Sequence, residues 1–312
     1  MQNLGTLDNK YIILRETANG PTTRSYLVKN IQDGKHYHIK LLTDNNLNEF
    51  PAQEMEMLKK IQNLNNPNII GFIESGNGPL VLNNQPPQNR PYLVFEYAPN
   101  GDLFNYVRIR SFGELRAKLI FQKILNGIRA MHNAGICHRD IKLTHILLNQ
   151  NFEPKIINFS FACNIANNPT DFVGTLNYMA PEITREQPYN PVKCDIFSLG
   201  QLLFNLVTGI LGFNSSREND PDYTLIRQKN YEKFWNRPII SNLHLSNSFK
   251  ELFLRMVAYN PNERPTIEEI LNSEWMQDIK NLNPEQMENL ENEVREEFKN
   301  REIQIQANLH AN

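Results

Sequence analysis

Three cysteines in 312 residues, Cys137, Cys163 and Cys194, are widely spaced and odd in number, which argues against a disulfide framework and a zinc site. A reducing compartment fits. Long apolar runs are missing too: none approaches the roughly 18 residues that a membrane span needs. The polar opening at 1–10 lacks the apolar core of a signal peptide. The cytosol is the expected location. A surplus of one charge is also absent, since the net charge is −2, and surfaces for nucleic acid or membranes usually show a basic excess. No nucleic-acid or membrane partner is expected. Asparagine is scattered, as in Asn63-Leu64-Asn65-Asn66 and Asn164-Ile165-Ala166-Asn167-Asn168, but never in a block long enough for a prion-like segment. What remains is an ordinary globular composition, long enough for one large or two small domains with a sizeable core.

A histidine, an arginine, an aspartate and a lysine share one short stretch, Cys137-His138-Arg139-Asp140-Ile141-Lys142-Leu143-Thr144-His145. The runs Ile146-Leu147-Leu148 and Pro154-Lys155-Ile156-Ile157 follow around polar Asn149-Gln150-Asn151 and predict two short strands and a turn. Asn158-Phe159-Ser160 comes next. The stretch resembles the catalytic loop of protein kinases, H-R-D-L-x-x-x-N followed by D-F-G. Four more segments carry the resemblance. Tyr37-His38-Ile39-Lys40 is similar to V-A-I-K, and Asn66-Pro67-Asn68-Ile69 to H-P-N-I. Gly174-Thr175-Leu176-Asn177-Tyr178-Met179-Ala180-Pro181-Glu182 is close to G-T-x-x-Y-M-A-P-E, and Asp195-Ile196-Phe197-Ser198-Leu199-Gly200 to D-x-W-S-x-G.

The resemblance covers 11–276 and implies an α+β bilobal protein kinase fold. A small β-rich N-lobe with one helix would occupy 11–95, a hinge 96–99, and a larger α-helical C-lobe 100–276. The residue pattern agrees with strands over 11–29 and 36–42 and an amphipathic helix over 50–62 bearing Met55, Leu58 and Ile61. The Gly/Asn/Pro/Gln-rich stretch 75–91, including Asn83-Asn84-Gln85, predicts an elongated loop between strands. A long helix over 114–132 presents Leu115, Leu119, Ile120, Ile124, Leu125, Ile128 and Met131 on one packed face. Residues 1–10 are expected as a tail, and 277–312 as a charged amphipathic helix and tail. In that helix Met287, Leu290, Val294, Phe298 and Ile305 share a face, the pattern breaks near Arg301, and docking on its own large lobe or a partner helix is expected.

Site roles follow from the resemblance. Asp140 would be the base that accepts a substrate hydroxyl proton, with Lys142 beside the transferred phosphate; Lys142 and Thr175 point to the serine/threonine branch. Lys40 would meet nucleotide phosphates and pair with Glu54, although a register placing Glu56 there is open. Gly20 is the one glycine kept in the phosphate-covering turn. Backbone groups of Glu96 and Ala98 would meet an adenine above Leu147, and Asp102 would lie near the ribose, a position where helix capping is an equal expectation. Asp171 stands four residues before Thr175 in the activation segment, where one fixed negative charge could pair with Arg139 in place of a phosphate. His138 and Phe159 are expected to stack, Glu182 to meet Arg264 in a buried ion pair, and Asp195 to be scaffold.

The departures bear on activity. His145 replaces the metal-binding asparagine and Asn158 the metal-binding aspartate. Magnesium prefers oxygen ligands, carboxylates above all, whereas imidazole suits softer ions. His38 replaces a small alanine over the adenine, and overpacking of that kind costs about 1–3 kcal/mol. The expectation is a pseudokinase acting on protein partners, with ATP a weak ligand and the Mg²⁺ site degraded. The competing expectation is an active Ser/Thr protein kinase with reduced metal dependence and a protein substrate.

Overall fold

The computed structural model describes residues 4–44, 49–82, 86–185 and 187–310. Parts of three expectations, the tail at 1–3, the loop residues Asn83-Asn84-Gln85 and the C-terminal tail at 311–312, lie outside the described residues. The chain divides into two compact units that meet in sequence between Pro99 and Asn100.

The N-terminal unit contains β1 (Gly5–Leu7), β2 (Tyr11–Asn19), β3 (Thr23–Asn30), β4 (His36–Leu42), α1 (Ala52–Gln62), β5 (Phe72–Leu82) and β6 (Gln88–Glu96). The strands close into a barrel of order β1-β2-β3-β4-β6-β5. Its interior is filled by Leu7, Tyr11, Ile13, Tyr26, Val28, Ile39, Leu41, Tyr92 and Val94. Their spacing follows the two-residue period of strands with one face buried.

Two sequence expectations are corrected here. Residues 5–7 are not tail: β1 pairs antiparallel with both β2 and β5 and completes the barrel. The stretch 75–91 is not mainly loop either, because β5 and β6 stay paired from Phe72↔Phe95 out to Leu80↔Gln88. Its glycines make room instead of turning the chain. A Cβ on Gly76 would stand 2.4 Å from the Tyr92 ring, and one on Gly78 would stand 2.4 Å from the Asp8 side chain. The Tyr92 hydroxyl donates to Asp8 at 2.6 Å, so these two glycines admit the contact that ties the residue after β1 to β6.

The C-terminal unit begins with α2 (Leu103–Ile109) and α3 (Gly113–Asn133), followed by the short strands β7 (Ile136–Cys137), β8 (Ile146–Leu148), β9 (Pro154–Ile156) and β10 (Cys163–Asn164). Helices α4 (Pro191–Thr208), α5 (Pro221–Arg227), α6 (Tyr231–Trp235), α7 (Asn247–Met256), α8 (Ile267–Leu271), α9 (Gln277–Lys280) and α10 (Pro284–His310) complete it. Helix α4 starts at an Asn190 cap with Pro191 behind it and ends at Gly209, whose φ is 83°; between them nearly every residue is buried. It is the central post. Leu115 departs from expectation: it is 49% exposed, while Lys118 on α3 is buried against Trp275 and Asp278.

Helix α10 docks on the same unit. Leu290, Val294 and Phe298 are buried, and the Phe298 ring meets Tyr106, Phe112 and Phe152. The face does not break at Arg301. That side chain is 2% exposed, lies over the Phe112 ring, donates to the carbonyls of Tyr106, Arg110 and Ser111, and pairs with Glu297 at 2.6 Å. Arginine extends an apolar face when its charge is met at the end of its stem. Phe298→Ala should cost about 3–5 kcal/mol in urea unfolding, whereas Leu115→Ala should stay within about 0.5 kcal/mol.

Candidate functional site

In the N-terminal unit, the ammonium of Lys40 on β4 donates to Glu54 on α1 at 2.7 Å, and Glu54 is 5% exposed. The register question resolves to Glu54, since Glu56 pairs with Lys60 one turn on. Gly20 sits in the turn between β2 and β3, donating to Thr23 at 2.8 Å, and Pro21 beside it has no N–H to offer. The His38 ring meets the Thr17 hydroxyl at 3.1 Å; desolvation, then the nearby Lys40 charge, lower its pKa to about 4. At the end of β6 the Glu96 N–H is spent on Gly71 at 2.8 Å, and its carboxylate accepts from the Gly71 N–H at 3.0 Å. Ala98 is buried.

In the C-terminal unit, the loop between β7 and β8 is held from below by α4. Asp195, fully buried, accepts the backbone N–H groups of His138 at 2.9 Å and Arg139 at 2.8 Å, and meets His132 Nε2 at 2.8 Å. Burial raises its pKa, but the His132 contact and the other donors outweigh that and hold the carboxyl below the usual range. Two bonds to adjacent N–H groups fix Arg139 at φ 64°, a region that ordinary residues avoid. His132 carried no sequence signal, because 63 residues separate it from Asp195.

Arg139 then reaches the activation segment. It donates to the Phe161 carbonyl at 2.6 Å, to both Asp171 oxygens at 2.8 and 3.0 Å, and to the Tyr189 hydroxyl at 3.0 Å. Tyr189 also donates to the Asp171 carbonyl, a role that nothing in its sequence neighbourhood announced. Gly174 must be glycine: its φ is 111°, and a Cβ would lie 2.8 Å from the Arg139 carbonyl oxygen.

The polar cluster above this loop is closed. Thr175 donates to Asp140 Oδ1 at 2.7 Å and accepts from Lys142 at 2.6 Å, while Lys142 and His145 Nδ1 each stand 3.3 Å from Asp140 Oδ2. His145 Nδ1 faces the Asp140 carbonyl at 2.8 Å, which can only accept, so that nitrogen carries the proton. Desolvation lowers the His145 pKa to about 4, with Lys142 and His138 adding to the effect against the pull of Asp140. The ring is therefore neutral, Nε2 is a lone pair, and the Asn158 amide donates to it at 3.0 Å. This orients Asn158, whose Oδ1 accepts from Ser160 at 3.0 Å. Asn158 holds φ 66°, which asparagine tolerates better than most residues.

Asp102 is the cap of α2, with its oxygens accepting from the Asn105 N–H and side-chain amide, each at 3.0 Å, and it bridges Leu147 through the backbone. Burial raises its pKa. Phe159 meets His138 edge-on at 5.7 Å. Glu182 and Arg264 form a two-pronged pair at 2.5 and 2.8 Å, with Arg264 2% exposed.

A histidine whose pKa falls from 6.5 in the unfolded chain to about 4 binds its proton only after unfolding between those values. Its contribution to stability is complete above about pH 6.5 and is lost as pH falls toward 4. His38 acts in the same direction. The urea midpoint should fall across this window, and His145→Gln should make that fall shallower without removing the part owed to His38.

Residues 11–276 match the protein kinase domain family. CBL-interacting protein kinase 12 of Oryza sativa subsp. japonica is 27% identical over 283 residues, covering 88% of this chain and 48% of its own length. The probable serine/threonine-protein kinase MARK-C of Dictyostelium discoideum is 28% identical over 272 residues, covering 85% of this chain and 33% of its own length. The serine/threonine-protein kinase SRK2J of Arabidopsis thaliana is 29% identical over 281 residues, covering 88% of this chain and 77% of its own length. The chain thus spans between a third and a half of the first two relatives. No helix among the described residues is long and apolar enough to cross a membrane. With a family match over 11–276 and these serine/threonine kinases as relatives, the chain belongs to the protein kinase family and carries a Ser/Thr protein kinase-like domain.

Proposed function

We propose that the protein is a pseudokinase, a kinase-shaped interaction or scaffold module that binds ATP–Mg²⁺ weakly or not at all. The observation that carries this reading is the 3.0 Å hydrogen bond between Asn158 and His145. These are the two positions at which the family resemblance implies magnesium ligands. Here they satisfy each other: the imidazole lone pair takes the amide proton, and the amide oxygen, which bears no charge, takes the Ser160 hydroxyl. Magnesium is a hard cation that asks for oxygen ligands and dehydrates reluctantly. The residues present do not fit it. A loss of even about 4 kcal/mol of transition-state stabilisation would slow transfer roughly a thousandfold. His38 in the N-terminal unit and the single-glycine turn at Gly20 support weak nucleotide affinity as well.

A second reading, an active Ser/Thr protein kinase with reduced metal dependence, draws support from the 2.7 Å Lys40–Glu54 pair and from the Asp140, Lys142 and Thr175 cluster. In that reading Asp140 is the base and Lys142 steadies the phosphate, with a protein hydroxyl as acceptor. The named Ser/Thr kinases among the relatives agree with a protein as partner or substrate.

A thermal-shift titration with ATP, alone and with Mg²⁺ or Mn²⁺, separates the two, because a ligand of the native state raises its melting temperature. The pseudokinase reading predicts no metal-dependent shift in the native protein and a Mg²⁺-dependent shift in the double variant His145→Asn with Asn158→Asp. A shift in the native protein that grows with Mg²⁺, joined to phosphate transfer lost in Asp140→Asn, would establish the kinase reading instead.

A further inference from the structure

A groove of about 470 Å³ lies in the C-terminal unit, away from the Asp140 cluster, between the activation segment and the loop after α4. Phe172, Arg185, Arg217, Glu218 and Tyr259 line it together with the hydroxyl residues Thr184 and Ser216. The hydroxyl protons are already committed. Thr184 donates to the Pro181 carbonyl at 2.8 Å, and Ser216 to the Met179 carbonyl at 2.7 Å. The one carboxylate in the lining, Glu218, pairs with Arg227 at 3.1 Å. Arg185 and Arg217 have no carboxylate partner among the described residues. Each guanidinium instead approaches a ring: Arg185 stands 4.6 Å from the Tyr259 centroid, and Arg217 5.8 Å from that of Phe172. A guanidinium lying on an aromatic ring keeps its N–H edge for an anion and forgoes little mobility in binding one.

We propose that this groove captures a phosphorylated serine or threonine segment of a partner protein. Two guanidinium forks supply charge-assisted donors for a doubly charged group with three acceptor oxygens. The rings give the flanking peptide an apolar wall. The groove is also preassembled. Phe172 follows Asp171 directly, and the two-pronged Arg139–Asp171 contact fixes the backbone from which that wall projects. A permanent carboxylate at 171 thus keeps the docking surface in place without a prior phosphorylation of this chain. The inference deepens the interaction role proposed above. Because peptide capture and nucleotide binding are read in separate titrations, either can fail alone.

The test uses the full chain and three fluorescein-labelled degenerate peptide pools with a fixed central phosphoserine, serine or glutamate, read by anisotropy at low and at physiological salt. The phosphoserine pool should bind at least tenfold more tightly than either other pool, and should weaken as salt rises. Arg185→Ala and Arg217→Ala should each lose about tenfold, the pair should abolish binding, and Arg→Lys at both positions should recover only part of it. Asp171→Asn should weaken capture while the Arg variants keep the native melting temperature. Equal binding of the three pools, absence of binding, or phosphoserine binding that survives the double Arg→Ala variant would overturn the proposal.

Discussion

One buried carboxylate holds the C-terminal unit's site in place. Asp195, with no solvent exposure, accepts two successive backbone N–H groups and a histidine contact, and so fixes the loop of His138, Arg139 and Asp140 to the central helix α4. A buried ionised group is tolerated only where donors surround it. Here the same donors hold Arg139 in a backbone conformation it would not choose. That conformation sends the guanidinium toward Asp171 and Tyr189 and leaves Asp140 facing Thr175 and Lys142. The activation segment, the polar cluster around Asp140 and the groove beside Phe172 all follow from it.

Lys40 pairs with Glu54, Glu182 with Arg264, and Asp195 holds its loop, each as the family resemblance implies. At 145 and 158, where the family resemblance implies metal ligands, internal hydrogen bonds run from Ser160 through Asn158 and His145 to the Asp140 carbonyl. Such a chain of satisfied, half-buried polar groups contributes to stability without leaving a donor or acceptor unpaired. It is the physical basis of the proposal that this protein works as an interaction module.

Much of the fold was legible because strands and helices here obey their periods. Residues 36–42 form the strand that their pattern predicts, and the Ile267–Leu271 helix carries a full capping box. The pairs that the family motifs implied, Lys40 with Glu54, Arg139 with Asp171, His138 with Phe159 and Glu182 with Arg264, do meet in the structure. Where the sequence misled, one residue type had two physical uses. Gly76 and Gly78 suggested a loop but are spacers for Tyr92 and Asp8. Arg301 suggested the end of a buried face but continues it through three carbonyls and Glu297. Asp102 forms the helix cap that was one of its two expected roles. The partnership of His145 and Asn158 could not be read from the sequence, because only the folded loop brings their side chains to 3.0 Å and forces one tautomer.

That partnership is the centre of the account, and imidazole nitrogen NMR tests it directly. In protein carrying ¹⁵N-labelled histidine, long-range ¹H–¹⁵N correlations report which ring nitrogen of His145 bears the proton. The expected result is a neutral ring protonated on Nδ1 at neutral pH, with Nε2 accepting from Asn158, unchanged when ATP and Mg²⁺ are added and altered by Asn158→Ala. A protonated Nε2, or ring signals that move in a saturable way with ATP–Mg²⁺, would contradict it.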